Sequence, residues 1–307
     1  MAHAYASIIL KAPVQAVWNL VRDFNGLPTW APAIAKSAIE DGLDADVVGC
    51  VRSFHTHDGS HIRERLLMLD DANYSFTYNF EKPAFPVKNY IATLRLYPVT
   101  HTDHTFAEWT ATFDEAPGDE GKYQKQISQN VFAANWKNLA SIISKSKLKV
   151  STLPRWKAGQ PNKVWTSRVI KAPAPDVWAI MRNFSGMGAW HGDITKMHMK
   201  KQARPDKISA VRDFYFGTGH LNEELLHLDE MQRSFSYRIT KSELPWINYV
   251  SGPRLWSVTA NNTTFGVWTG DWQASPQDDL NLMPNTENNV YQRAFAELEN
   301  NFFRNKK

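Results

Sequence analysis

The chain contains the same long segment twice, about 160 positions apart. "VRSFHTHDGSHIRERLLMLD" begins at Val51, and "VRDFYFGTGHLNEELLHLD" begins at Val211. The likeness continues on both sides, because "KAPVQAVWNLVRDFNGLPTW" from Lys11 matches "KAPAPDVWAIMRNFSGMGAW" from Lys171 without a gap. Repetition at the length of a domain predicts two homologous domains, whereas a solenoid would repeat every 20 to 50 residues or so.

A basic segment with Pro and Gly separates the two copies. "KSKLKVSTLPRWKAGQPNKV" runs from Lys145 to Val164 without an acidic residue, and its basic side chains outnumber the net charge of +4 of the whole chain. Such a composition is typical of a linker, and nucleic-acid binding would favour basic residues spread over a folded face. We therefore expect a first domain at 1–147, a linker at 148–163, a second domain at 164–307, and no nucleic-acid partner.

Each copy predicts the same order of secondary structure. A short strand ends at Lys-Ala-Pro, and "VQAVWNLVRDF" then has apolar residues at helical spacing. About six alternating strands follow, separated by Gly-, Asp- and Pro-containing turns. Long helices close the copies, at "KYQKQISQNVFAANWKNLASIISK" and "NVYQRAFAELENNFF". We expect an α+β fold, in which a curved antiparallel sheet wraps around the last helix and leaves an internal cavity.

Three features predict where the protein is found. The single cysteine, Cys50, excludes an internal disulfide framework and fits a reducing compartment. The N-terminal "MAHAYASIILKAPVQAVW" is typical of a first strand and lacks the regions of a signal peptide. No apolar stretch approaches the length of a membrane-spanning helix. We expect a cytoplasmic protein that does not span a membrane.

Several of these motifs resemble one superfamily. "VGCVRSF", "ERLLMLDD", "KNYIATL" and "NWKNLA" in the first copy, and "VRDF", "EELLHLD" and "INYVSG" in the second, resemble the START-like helix-grip (SRPBCC) superfamily. The closer resemblance is to its polyketide cyclase/dehydrase and lipid-transport branch, and also to the plant abscisic acid receptors. It covers roughly 5–144 and 165–303. The resemblance implies the fold strongly and the reaction weakly, because carriers, receptors, cyclases and lyases share this cavity.

Strand alternation predicts which side chains line the cavity. In "HIRERLLMLD" one face is apolar except for Glu64, and in "VRSFHT" the matching face holds Arg52 and Phe54. The second copy places Arg212, Glu223 and His227 at equivalent positions. An Arg52–Glu64 pair either binds a ligand or simply joins two strands.

The resemblance adds further site residues. It implies that Lys36, Tyr78, Phe80, Phe85, Tyr90, Glu108 and Asn135 lie in the first pocket, and that Lys196 and Tyr249 lie in the second. Desolvation lowers the pKa of a buried lysine and raises that of a buried glutamate, which suits both for proton transfer. The candidate catalytic residues are Lys36, Glu64, Tyr90 and Glu108, and the others are candidate ligand-binding residues.

The copies differ at some of these positions. Glu108 aligns with Val267, and the region of Asn135 aligns with Ala294 and Phe295. We expect the first copy to have the better polar pocket, with drift of a structural second copy as the alternative. His55, His57 and His61 lack a convincing carboxylate or cysteine partner for a metal, so we expect neither a metal nor a cofactor.

Two main functions remain open. The first is a cyclase/dehydratase-like enzyme, of the lyase or isomerase type, acting on a hydrophobic or aromatic small molecule of secondary metabolism. The second is a non-catalytic carrier, sequestering protein or sensor for a hydrophobic metabolite or lipid. The gate loop of the receptors, typically Ser-Gly-Leu-Pro, is replaced by "HDGSH" and "GTGH", which makes hormone-type gating doubtful. A scaffold that binds chaperones is a minor third possibility.

Overall fold

A computed structural model describes residues 1–146, 162–243 and 246–304. Most of the expected linker, 148–163, therefore lies outside the described residues. The chain divides into two compact units, one for each copy of the repeat. No helix within the described ranges is long and apolar enough to cross a membrane.

The first unit is a seven-stranded antiparallel sheet in the order β1-β7-β6-β5-β4-β3-β2, with a long helical segment at its end. Two short helices follow the first strand, and a 3₁₀ turn, Glu40–Gly42, follows the second. The strands are β1 (Ala2–Leu10), β2 (Ile34–Ile39), β3 (Val51–Thr56), β4 (His61–Asp70), β5 (Ser75–Lys82), β6 (Lys88–Val99) and β7 (His104–Asp114). The helices are α1 (Val14–Val21), α2 (Leu27–Trp30), α3 (Lys122–Gln126), a π-helical segment (Ile127–Ala133) and α4 (Ala134–Lys145).

The second unit repeats this topology in the order β8-β14-β13-β12-β11-β10-β9. Its strands are β8 (Val164–Ile170), β9 (Ile194–Met199), β10 (Val211–Phe216), β11 (Gly219–Asp229), β12 (Ser234–Lys241), β13 (Ile247–Val258) and β14 (Thr263–Gln273). Its helical segments are α5 (Ala174–Met181), two 3₁₀ turns (Met187–Ala189 and Lys200–Gln202), α6 (Pro276–Asn285), α7 (Arg293–Glu299) and π-helical segments at Thr286–Gln292 and Asn300–Arg304.

The helix after the first strand forms where the apolar spacing predicts it. Pro13 precedes α1 and cannot donate a backbone hydrogen bond, which is tolerated at the start of a helix. Val17, Trp18 and Val21 form its buried face. The Trp18 indole N–H donates to Asp71 Oδ1 at 2.8 Å, which satisfies the polar atom of a buried ring.

The core of each unit lies between the sheet and the closing helical segment. In the first unit the Trp109 ring on β7 stacks on Phe132, with ring centroids 4.6 Å apart. In the second unit Trp268 on β14 stacks on Tyr291 at 5.3 Å. Phe132 and Tyr291 both lie in π-helical segments, so the expected closing helices are not uniformly α-helical. The predicted α+β class, with two sheet-and-helix units, is confirmed.

Candidate functional site

Arg52 and Glu64 form a buried ion pair on adjacent strands. Their Cα atoms are direct partners in the β3–β4 register, which places both side chains on one face of the sheet. Arg52 Nε donates to Glu64 Oε2 at 2.6 Å, and Arg52 Nη1 donates to the carbonyl oxygen of Phe24 at 2.8 Å. The guanidinium also lies 3.9 Å from the centre of the Phe24 ring. The pair is closed and surrounded by the core.

Two opposing effects act on the Glu64 carboxyl. Burial raises its pKa, and the neighbouring Arg52 lowers it without cancelling the effect of burial. The carboxylate is held by its guanidinium partner, which limits its ability to accept a proton from a ligand. The pair links β3 and β4, which is one of the two roles that strand alternation left open.

Tyr78 and Tyr90 lie on the same buried face. The Trp109 indole N–H donates to Tyr78 Oη at 3.1 Å, and the Tyr90 ring centre lies 6.2 Å from that of Tyr78. The Tyr78 ring centre is 5.0 Å from the Arg52 guanidinium carbon. Burial raises the pKa of both phenols, and the Glu64 charge raises them further. Both phenols therefore remain neutral and keep a proton that can be donated in a hydrogen bond.

Aromatic side chains lead from this buried group toward solvent. Phe80 stacks on Tyr90 with ring centroids 4.0 Å apart, and Phe85 lies 6.0 Å from Tyr123. Phe80 and Phe85 are half-buried, whereas Phe54 is buried beside Arg52. Asn135 is half-buried on α4.

The expectation that Lys36 lies inside an apolar cavity is wrong, because its side chain is exposed. The β2–β3 register shifts between Ile34 and Lys36, so Lys36 pairs with His55. His55 alternates with Phe54 and therefore faces away from it. The irregularity moves Lys36 to the outer face, and the roles proposed for a desolvated lysine do not apply.

Glu108 is also misplaced by the sequence interpretation. It is buried, but it alternates with Trp109, whose ring packs on the closing helical segment. Glu108 therefore lies on the opposite face of β7, where its partner across β1 is Ser7. Burial raises the pKa of Tyr5, and the nearby Glu108 charge adds to this. Glu108 does not join Glu64 and Tyr90 in one site.

The second unit repeats the buried ion pair. Arg212 Nε donates to Glu223 Oε2 at 2.6 Å, and Arg212 Nη1 donates to the Phe184 carbonyl oxygen at 3.0 Å. Burial raises the pKa of Glu223 while Arg212 opposes this, as in the first unit. The two pairs are equivalent in sequence and in geometry.

Two expected lining residues of the second unit face outward. Lys196 is exposed with φ of 53°, at an irregular point of the β9–β10 pairing, and its Nζ lies 5.1 Å from the Tyr215 ring. His227 is exposed because the β11–β12 register shifts after Leu225, so that His227 pairs with Ser236. A one-residue irregularity reverses the face of every later side chain. Both expectations are therefore wrong.

The second unit contains a hydroxyl network that the sequence interpretation missed. Tyr291 Oη lies 2.5 Å from Tyr249 Oη and 2.8 Å from Ser251 Oγ. Ser251 also accepts a hydrogen bond from the Trp268 indole N–H at 3.0 Å and donates to the Thr269 carbonyl oxygen at 2.7 Å. Tyr291 is fully buried. The network therefore joins Tyr249, Tyr291, Ser251 and Trp268 in the second interior.

A signal for this network was present in the aligned copies. Tyr291 stands where the first copy has Phe132, Ser251 stands where it has Ala92, and Gly270 replaces Ala111. A Cβ at position 270 would overlap the Tyr291 hydroxyl. The three changes belong together, because the added hydroxyl needs both a partner and the space of a missing methyl group.

The histidines of β3 and β4 lie on the outer face. The His55 and His61 rings stack at 4.5 Å, nearly parallel. No cluster of three or more His, Cys, Asp or Glu side chains suitable for a metal ion occurs in the described part of the chain.

Comparisons with known proteins found relatives that match part or all of the chain. The abscisic acid receptor PYL7 from Arabidopsis thaliana is 29% identical over 92 residues, which are 29% of this chain and 42% of the receptor. The chain thus matches less than half the length of that curated relative. An uncharacterised protein from Bacillus thuringiensis is 28% identical, covering 47% of this chain and 99% of its own, with a TM-score of 0.42. The di-domain ARO/CYC BexL from the BE-7585A biosynthetic pathway is 13% identical over 98% of both chains, with a TM-score of 0.38.

The family comparison covers both copies of the repeat. The family model described as polyketide cyclase/dehydrase and lipid transport matches residues 1–143 and again residues 161–302. These ranges contain both buried Arg–Glu pairs and all but the last two residues of each closing helical segment. The chain belongs to the polyketide cyclase/dehydrase and lipid transport family, and it contains the family's domain twice.

Proposed function

We propose that the first unit binds a hydrophobic or aromatic small molecule against the interior face of its sheet, and acts on it as a cyclase/dehydratase-like enzyme. One observation carries this proposal. The Trp109 indole N–H donates to Tyr78 Oη, and no described residue accepts the Tyr78 proton in a hydrogen bond. A neutral buried phenol with a proton to donate can bind a carbonyl or phenol oxygen of a ligand.

The surroundings of Tyr78 favour a flat aromatic ligand. Half-buried Phe80 and Phe85 provide ring surfaces near the solvent, and buried Tyr90 stacks on Phe80. A conjugated ring system can stack on such surfaces while its oxygen reaches the phenols. The Arg52 guanidinium, 5.0 Å from the Tyr78 ring, supplies a fixed positive charge on the same face.

The chemistry available to this group is electrophilic. A phenol that donates to a ligand carbonyl stabilises the negative charge that develops on oxygen during enolisation, and the buried face orients the chain that must cyclise. Glu64 is the candidate base in this proposal, and its carboxylate is paired with Arg52. Loss of one water from an aromatic polyketone is therefore the reaction class that we propose for the first unit.

A carrier or sensor is the second candidate function. It is favoured by the closed Arg52–Glu64 pair, because a carboxylate with a guanidinium partner is a poor proton acceptor. A carrier needs only the aromatic surface and the hydrogen bond from Tyr78. Incubating the purified protein with a linear aryl polyketone, and following loss of one water by mass spectrometry, separates the candidates. A product formed by the wild type and lost in Glu64→Gln supports the enzyme, and unchanged compound bound by both proteins supports the carrier.

Binding itself is tested by removing one hydroxyl group from each unit in turn. With 1,8-dihydroxyanthraquinone as the probe, Tyr78→Phe is expected to weaken binding about 5- to 10-fold, the effect of one lost hydrogen bond. The matched variant Tyr237→Phe in the second unit is expected to leave the affinity unchanged. Quenching of tryptophan fluorescence measures both. Equal losses of affinity in the two variants, or a loss only in Tyr237→Phe, would contradict the proposal that the first unit is the binding unit.

A further inference from the structure

Four basic side chains form a row across the outer face of the first sheet. Lys36 on β2 pairs with His55 on β3, and His55 pairs with His61 on β4. Lys82 at the end of β5 reaches His61, with its Nζ 3.2 Å from His61 Nδ1. Neighbouring strands lie about 5 Å apart, so the row spans about 15 Å. We call Lys36, His55, His61 and Lys82 the basic row.

The hydrogen bonds define the protonation state of His61. The Lys82 ammonium can only donate, so His61 Nδ1 accepts, and His61 Nε2 carries the proton that faces Ser53 Oγ at 2.8 Å. His61 is therefore neutral in this arrangement. Partial desolvation lowers its pKa, and the charges of Lys82, His55 and Arg63 lower it further.

The carboxylates near the basic row are already engaged. Glu40 receives two hydrogen bonds from Arg63, at 2.7 and 2.6 Å, and Glu81 receives one from Arg65 at 2.6 Å. Asp58 accepts a hydrogen bond from the backbone N–H of Ser60 in the turn between β3 and β4. No carboxylate of the described residues forms an ion pair with any member of the basic row. The row therefore has positive charge without a partner.

In the second unit a carboxylate compensates the positive charge at the equivalent positions. Tyr215 replaces His55 and stacks on His220, and Lys241 Nζ lies 3.0 Å from His220 Nδ1. There Asp213 replaces Ser53, and its Oδ1 lies 2.8 Å from His220 Nε2. The acidic side chain supplies the negative charge that the first unit lacks.

From this contrast we propose that the basic row of the first unit is a binding site for a phosphate group. The bound anion takes the place that Asp213 has in the second unit. A phosphate carries several acceptor oxygens, and it can accept from the Lys82 ammonium and, once His61 is protonated, from that ring as well. The site lies on the face opposite Phe54, so it is separate from the interior site and does not depend on the proposed function.

The chemistry predicts how affinity varies with pH and sequence. The probe is inorganic pyrophosphate, and isothermal titration calorimetry on the full chain measures its binding. The affinity is expected to rise as the pH falls below about 6.5, because the pKa of His61 is lowered and this imidazole gains its charge only at more acidic pH. Lys82→Gln, an exposed change that leaves the core intact, is expected to weaken binding about 10-fold, as for one charge-assisted hydrogen bond. His61→Gln is expected to remove most of the pH dependence.

The second unit provides the matched control. Lys241→Gln is expected to leave pyrophosphate binding unchanged, because Asp213 already neutralises the equivalent positions.

Phosphatidylcholine vesicles with and without phosphatidic acid distinguish a lipid headgroup from a free phosphate. Binding of pyrophosphate in solution identifies a soluble ligand, and binding only to acidic vesicles, lost in Lys82→Gln, identifies a headgroup. No binding to either probe, or binding that Lys82→Gln leaves unchanged, would overturn the proposal.

Discussion

Replacing Arg52 by methionine is expected to destabilise the first unit by about 3–5 kcal/mol at neutral pH, because it leaves Glu64 buried without its positive partner. Both side chains are almost fully buried, at 2% and 6% side-chain exposure. Methionine keeps much of the volume beside Phe24 and Tyr78. The loss of stability therefore comes mainly from the missing charge and hydrogen bonds, and less from a cavity. The effect is measured as the change in hydrogen-exchange protection of the β3 and β4 amides, because two-unit chains need not unfold in one step.

The pH dependence of this variant has a definite sign. Without Arg52, burial alone acts on Glu64 and raises its pKa above the value in the unfolded chain. The folded state then binds more protons than the unfolded state above the unfolded pKa, so the penalty grows as the pH rises and shrinks as the pH falls. A second change, Glu64→Leu in the Arg52→Met background, is expected to recover most of the stability. A loss of less than about 1 kcal/mol in the single variant would mean that the pair contributes little.

The second large effect concerns Gly270. Gly270→Ala is expected to destabilise the second unit by about 1–3 kcal/mol, because the new methyl group overlaps the Tyr291 hydroxyl in a packed core. Tyr291→Phe alone is expected to cost about 1 kcal/mol, since it removes the hydrogen bonds to Tyr249 and Ser251. Protection of the β13 and β14 amides measures both.

The double variant provides the decisive control for this prediction. Gly270→Ala with Tyr291→Phe recreates the Ala111 and Phe132 combination of the first unit. The double variant is expected to be more stable than Gly270→Ala alone, which gives a coupling of about 1–3 kcal/mol between neighbouring positions. If the two losses simply add, the hydroxyl does not occupy the space above Gly270.

The fold could be predicted from the sequence because its signals are local and occur twice. Helical spacing at Val17, Trp18 and Val21 defined α1, and alternation around Glu64 placed Arg52 and Glu64 on one buried face. The repeat doubled each of these signals. The α+β class and the central ion pair follow from such patterns without a structure.

The rest of the site could not be predicted, because single-residue irregularities interrupt the alternation. Shifts in pairing near Lys36 and His227 turned side chains expected inside onto the outer face. The predicted position of Glu108 was wrong for another reason, because the packing of Trp109 on Phe132 decides which face of β7 is inside. Tyr291 reaches Tyr249 and Ser251 across the core, and only an alignment of the copies hints at that contact.

The two interiors differ in the groups that their buried hydroxyls contact. In the second unit the Tyr291 hydroxyl contacts both the Tyr249 hydroxyl and Ser251 Oγ, whereas the first unit has Phe132 and Ala92 in place of Tyr291 and Ser251. The phenols of the first unit therefore keep a proton for a ligand. The proposed division assigns binding to the first unit and a closed, structural interior to the second.

The stoichiometry of probe binding tests this division most directly. Titration of the full chain with 1,8-dihydroxyanthraquinone, followed by native mass spectrometry, is expected to show one molecule bound per chain. The triple variant Ala92→Ser, Ala111→Gly, Phe132→Tyr installs the network of the second unit in the first, and it is expected to weaken binding at least about 10-fold while the fold is retained. Two molecules bound per chain, no binding by the wild type, or unchanged affinity in the triple variant would contradict the account.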